Sequence, residues 1–156
     1  MLGLTSGGIA RIARYLGWSG SYPAARDLWQ LIADAYRDDD AYGPEHRGTL
    51  RARGNLAGWT GWAGDAAGAR DQYAALLPVE ERVLGAEHPE TLNARGNLAY
   101  FTGEAGDAAG ARDQFAALLP IEERVLGAEH PGTLTARRNL AYWSEKAASD
   151  AAPGVK

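Results

Sequence analysis

All three histidines of this 156-residue chain fall in one recurring nine-residue phrase: YGPEHRGTL from Tyr42, LGAEHPETL from Leu84 and LGAEHPGTL from Leu126. Imidazoles beside acidic residues are the raw material of metal sites and of general-base catalysis. Spacing decides against both. His46, His88 and His130 stand 42 residues apart, and equivalent residues of neighbouring stacked repeats are separated by roughly 10 Å, one helix-packing distance. Ligands of a single zinc each lie about 2.0–2.1 Å from it, so they crowd within a few ångströms of one another. The histidines therefore serve a local purpose once per repeat. His88-Pro89-Glu90-Thr91 reads as a helix start, with proline pre-set for the first helical position and glutamate suited to the positive end of the dipole. The histidine then sits at or beside the cap. The acidic pairs offer no better chemistry. Glu122 and Glu123 are adjacent on a helix and point apart, so they cannot share a proton. The runs Glu80–Arg82 and Glu122–Arg124 read as a solvated helix face.

The elements that carry these residues follow from the period. Gly43–Leu84 and Gly85–Leu126 are identical at 33 of 42 positions, a fixed repeat of the length that signals stacked helical units. A third copy starts at Gly127 and holds its pattern to Trp143, and an earlier one is visible where Gly17–Trp29 aligns on Gly61–Tyr73 with a shift of 44. Within a unit, Ala111, Phe115, Leu118, Leu119, Val125 and Leu126 share one helical face, as do Leu92, Leu98, Ala99 and Thr102, and GEAGDAAG supplies the turn between them. Each unit is a helical hairpin. The units run over about 6–42, 43–84 and 85–126, with a partial one at 127–146 and a tail at 147–156, all in one repeat domain of residues 1–156. Pro78 and Pro120 interrupt the second helices, but the apolar face resumes in phase at Val83 and Val125, which predicts a bend and not a stop.

Composition narrows the function classes. The chain has no cysteine, which removes disulfides, thiolate metal sites and thiol nucleophiles and fits a reducing cytoplasm. A net charge of −4 argues against a phosphate-backbone binder, so no nucleic acid is expected as a partner. Arg11 and Arg14 break up the N-terminal apolar stretch, and no run of about 18 apolar residues occurs, so neither export nor a membrane span is read. No GxxxxGK[ST] phosphate loop is present, no nucleophile, base and acid constellation stands out, and no cofactor or enzymatic activity is expected.

NLAYFTGEAGDAAGARDQFAALL resembles the tetratricopeptide repeat, with Leu98, Ala99, Gly106, Ala111, Phe115 and Leu118 at its packing positions. Only Thr102 departs, standing where tyrosine is usual. The usual repeat has about 34 residues, and the LGAEHPET phrase accounts for the extra length. This longer form is similar to the repeats of kinesin light chains and of large bacterial signalling proteins. The resemblance covers about Ile9 to Trp143. It implies an all-α fold of about seven helices, a right-handed solenoid of antiparallel hairpins whose first helices line a concave groove for an extended peptide or a protein partner. The chain then reads as a binding scaffold, either naturally short or a fragment of a larger signalling protein.

In that register the groove residues are Arg14 and Trp18; Arg51, Gly58 and Trp62; Asn93, Tyr100 and Glu104; and Arg138, Tyr142, Glu145 and Lys146. Aromatic and arginine side chains on one wall can take up apolar anchors and carboxylates, although Trp18 and Trp62 equally suit the space between repeats. Gly58, Gly61, Gly96 and Gly103 would leave room for a backbone to approach. Asn55, Asn97 and Asn139 recur once per unit, and each amide can serve both groups of a peptide bond or a bond within the array. Leu140 and Trp143 lie on a last helix with no second helix to cover it, because EKAASDAAPGVK lacks the ARDQ continuation. That suggests the alternative of a self-assembling module forming a weak homodimer through its C-terminal helix, with the tail folding back as the weaker option, since Pro153-Gly154 would stop the helix.

Overall fold

The computed structural model describes residues 6–152, and the regular elements of that span are all helices. Seven helices follow one another: α1 (Ser6–Trp18), α2 (Tyr22–Asp38), α3 (Arg47–Trp62), α4 (Ala66–Val83), α5 (Pro89–Glu104), α6 (Ala108–Val125) and α7 (Pro131–Ala151). Each packs on the next in sequence. The first helices of successive units also touch, α3 on α5 and α5 on α7, whereas no comparable contact joins the second helices. The first helices thus lie on the inside of the curve, and the concave wall is theirs.

Each start and stop has a local cause. His46, His88 and His130 are the N-caps of α3, α5 and α7. Their Nδ1 atoms accept from the backbone N–H of Gly48 at 3.0 Å, Glu90 at 3.2 Å and Gly132 at 3.1 Å. Imidazole here does what serine or aspartate does at most caps, satisfying one of the amides a helix start leaves unpaired. The second helices use aspartate: Asp65 and Asp107 accept from Gly68 and Gly110, each at 2.8 Å. Gly64 and Gly106, with φ of 102° and 103°, turn the chain just before those caps, a backbone region that only glycine enters without strain. Both α4 and α6 run on through Pro78 and Pro120, so neither proline is a stop. Thr60 and Thr102, at the position where tyrosine was the expected residue, are buried. Each hydroxyl donates to the carbonyl four residues back and receives the side-chain amide of Gln72 or Gln114 at 3.2 Å.

Successive units are joined by one repeated device, an aromatic ring seated on a glycine. Trp59 lies on Gly17, Phe101 on Gly61 and Trp143 on Gly103, each so close that a Cβ at the glycine would overlap the ring. Two sequence expectations fall here. Gly61 and Gly103 do not leave space for a partner's backbone, since the next unit's ring fills it, and Gly58 faces the Tyr73 hydroxyl instead. Trp143 is not on an uncovered face: it is 2 % exposed, and Leu140 packs against the same α5–α6–α7 core. The register explains the correction, because Trp143 occupies the place of Trp59 and Phe101, which point back into the preceding unit.

The end of the chain differs from the sequence reading as well. Ala147–Ala151, read as tail, continue α7, and Ala147 is buried against its core. Pro153 and Gly154 lie outside the described residues.

Two variants test these joints. His88→Ala should lower stability by about 0.5–2 kcal/mol in urea titrations, the size of a lost cap, whereas His88→Asn should recover most of the loss. Gly103→Ala places a Cβ 2.5 Å from the Trp143 ring and should cost about 1–3 kcal/mol through overpacking. An unchanged unfolding midpoint in Gly103→Ala would show that the seat is not tight.

Candidate functional site

The concave wall carries two adjoining recesses. The larger, a cavity of about 590 Å³, opens between α1, α3 and α5 and is lined by Arg14, Arg51, Asn55, Glu90, Asn93 and Asn97, with Tyr73 and Glu80 of α4 beneath them. The other, about 510 Å³, opens between α5 and α7. Its walls are Asn93, Gly96, Asn97 and Tyr100 on one side and Thr135, Arg138 and Asn139 on the other, with Trp62 at one end. Asn93 and Asn97 border both, so the recesses make one continuous trough across the first helices.

Nine of the fifteen groove residues read from the sequence line this trough: Arg14, Arg51, Asn55, Trp62, Asn93, Asn97, Tyr100, Arg138 and Asn139. Trp18, Gly58, Glu104, Tyr142, Glu145 and Lys146 do not. Trp18 stands 83 % exposed at the end of α1, and Tyr142 is also exposed, its ring edge-on to Trp143. The aromatics of the trough differ in burial: Tyr73 and Phe115 are buried in its floor, Tyr100 is half-buried and Trp62 is exposed. Trp62 is 53 % exposed, its ring tilted 34° to that of Tyr100 at a centroid distance of 5.8 Å. Burial and the neighbouring Glu104 carboxylate both push the Tyr100 hydroxyl above its ordinary pKa. The asparagines split in role. Asn55 donates to the Arg51 carbonyl of its own helix at 3.0 Å, and Asn97 donates to the Tyr73 hydroxyl at 3.2 Å, so part of each amide serves the array.

The floor holds what the sequence reading missed. Glu80 and Glu122 are each 4 % exposed, a correction to the solvated face expected for both Glu-Glu-Arg runs. Only their neighbours behave as surface charges: Glu81 pairs with Arg95 and Glu123 with Arg137, while Arg82 and Arg124 reach back to Glu45 and Glu87. Glu80 shares the inward face of α4 with Tyr73 and Leu76, and Glu122 shares that of α6 with Phe115 and Leu118. The Oε2 atom of each takes no hydrogen bond among the described residues. Burial raises the Glu80 pKa from 4.5 to about 7, with the nearby Glu90 carboxylate adding to the rise and Arg53 opposing it. Burial raises Glu122 too, opposed by His130. Burial likewise pushes the Tyr73 hydroxyl up, with the charge of Glu80 adding to it. The signal for these glutamates was in the sequence, since each falls in phase with the apolar face of its helix (Leu76 to Glu80, Phe115 to Glu122).

This arrangement has a pH signature. The folded chain keeps a proton on Glu80 that the unfolded chain releases near pH 4.5, so stability is greatest below about pH 4.5 for this group and is lost as pH rises through about 7. Glu80→Gln should flatten that fall, which we expect to reach about 1–3 kcal/mol in chemical denaturation between pH 4 and 8. An equal slope in wild type and variant would remove Glu80 as its source.

The family model of the tetratricopeptide repeat matches residues 49–90 and 91–132. No curated protein matches the chain. Among solved structures, the nearly identical TPR-like repeats of a Podosopora anserina protein described as a kinesin light chain superpose with a TM-score of 0.80 at 21 % identity, over 90 % of this chain and 65 % of that one. BtubC (BKLC) from P. vanneervenii superposes with a TM-score of 0.75 at 16 % identity, over 90 % of this chain and 55 % of its own. The chain spans less than two thirds of the length of these proteins, and at such identities the likeness is one of fold. Two consecutive family matches cover more than half of the sequence, and their period, hairpins and glycine-seated rings agree with the structure: the chain belongs to the tetratricopeptide repeat family.

Proposed function

We propose that the chain is a cytoplasmic binding scaffold whose concave trough holds an extended segment of a partner protein. Tetratricopeptide repeats are in general protein-interaction modules, and the single observation that carries the reading here is the continuity of the two recesses through Asn93 and Asn97. An extended chain presents a peptide group about every 3.3 Å and needs paired donors and acceptors along its path. Amide side chains on α3 (Asn55), α5 (Asn93 and Asn97) and α7 (Asn139) supply both. Exposed Trp62 and half-buried Tyr100 offer apolar area without the cost of ordering long side chains, and Arg14, Arg51 and Arg138 offer planar donors for carboxylates. A larger signalling parent would fit the same trough as one of its sensing arms. No helix among the described residues is long and apolar enough to cross a membrane, and the trough mixes arginines with buried glutamates, which does not suit a phosphate backbone.

Self-association through α7 is not carried forward, since Trp143, its intended anchor, is buried.

Selection of extended peptides from a random library on the full chain tests the proposal. Binders should weaken at least tenfold on Arg51→Ala combined with Trp62→Ala, two exposed residues, while far-ultraviolet circular dichroism stays nearly unchanged. Binders indifferent to both substitutions would place recognition elsewhere.

A further inference from the structure

We infer that the recess between α5 and α7 is a receptor for a basic side chain, lysine or arginine, of the bound segment, with the Glu122 carboxylate as its counter-ion. The inference rests on the peptide-binding reading above and gives it a chemical preference.

The floor of this recess is one face of α6, formed by Phe115, Leu118 and Glu122. A carboxylate at the bottom of an otherwise apolar floor is costly to keep there unless it is paired and hydrogen-bonded. Glu122 is 4 % exposed, and its Oε2 takes no hydrogen bond. The cations around it are committed elsewhere: Arg124 to Glu87 and Arg137 to Glu123. His130 acts on Glu122 only through its field, and its Nδ1 is held by the cap of α7. The recess is thus a socket with mostly polar side walls, an apolar floor and an unmatched acceptor at its base.

The walls suit the stem and head of a basic side chain. Leu92, Phe115, Leu118 and Ala136 can line the methylenes of such a side chain, which it buries readily while its head seeks charge. Trp62 and Tyr100 stand at the rim with their rings 5.8 Å apart, and ring faces attract a cation passing over them. Asn93, Asn97 and Asn139 around the opening can take the backbone on either side. Arg138 on the α7 wall forms no ion pair among the described residues and opposes a uniformly positive segment, so the socket selects one basic residue within a segment that is not itself strongly basic. The neighbouring recess is a poorer receptor. Its glutamate, Glu80, already feels Arg53, and Arg14 and Arg51 line the same space.

The test uses the full chain and a random twelve-residue peptide library, followed by fluorescence anisotropy of single binders. The expected result is enrichment of peptides with one lysine or arginine at a fixed place. Their affinity should fall at least tenfold on replacing that residue by norleucine, and by a similar factor on Glu122→Gln in the protein. Glu80→Gln should leave the affinity within about twofold. Circular dichroism and thermal melting of Glu122→Gln show whether it folds, and the norleucine peptides test the same contact on the unaltered protein should it not. Spermidine and lysine amide, added to the peptide complex, should compete poorly. Binders without a basic residue, or basic binders indifferent to norleucine, would overturn the inference while leaving the scaffold reading intact. Spermidine binding as tightly as the peptides would overturn it in favour of a free polyamine, and a library that yields no binder at all would overturn both.

Discussion

The fold depends on how closely one hairpin can approach the next, and glycine sets that distance. A ring from each unit lies on a glycine of the unit before it: Trp59 on Gly17, Phe101 on Gly61, Trp143 on Gly103. Planar contact at this range removes a large apolar area from water and leaves no freedom to slide. The alanines repeated beside it, Ala52, Ala94 and Ala136, are all nearly inaccessible, which keeps the first helices near one another. Since first helices touch first helices from α3 to α5 and α5 to α7, whereas second helices do not meet one another in the same way, the array curves toward the first helices. The trough follows from this packing: a wall of close helices, concave because its partners on the outer side stand further apart.

The same packing explains why acidic groups ended up at the floor. The second helices send one face inward beneath the first, and in α4 and α6 that face continues past the proline into the Glu-Glu-Arg run, where the phase of the helix turns one glutamate of each pair inward. Its neighbours in the run bridge outward, to Arg95 and Glu45 in one unit and to Arg137 and Glu87 in the next. Exposed pairs of that kind contribute little to stability, typically about 0–1 kcal/mol each, and their effect here is to hold Arg82, Arg95, Arg124 and Arg137 away from the buried carboxylates. A buried charge in a repeat array costs stability in every unit that carries it.

Much of this could be read from residue order, and the exceptions have physical reasons. The 42-residue period, the hairpins and the helix starts at His46, His88 and His130 depend on local spacing and local hydrogen bonds, which a sequence displays directly. Nine trough residues were found because a first helix has one inner face and the repeat fixes its phase. Trp143 follows its register with Trp59 and Phe101, which turns the ring back into the preceding unit whatever stands beyond α7. Gly61 and Gly103 were misread for a related reason: what fills the space at a glycine comes from another unit, roughly 40 residues away in the chain. Glu80 and Glu122 are less legible, because charge normally implies exposure whereas the helical phase at those positions points inward.

The register also shows what α7 presents on the side where α5 meets α6. At the position of Gly96, whose Cβ would touch Leu118 of the second helix, α7 carries Arg138. At the position of Gly103, the seat for a following aromatic ring, it carries Glu145. Both are exposed, as is Ala141, whose counterpart Ala99 is fully buried; Leu134 is 43 % exposed, whereas its counterpart Leu92 is inaccessible. A ring cannot lie on a residue that has a charged side chain, because the contact distance that glycine allows is gone and the charge would lose its water. Whatever covers α7 must therefore meet it differently from the way α6 meets α5. The two substitutions put a polar rim beside a narrow apolar strip of Leu134 and Ala141, so α7 does not offer the glycine-seated interface that α5 offers.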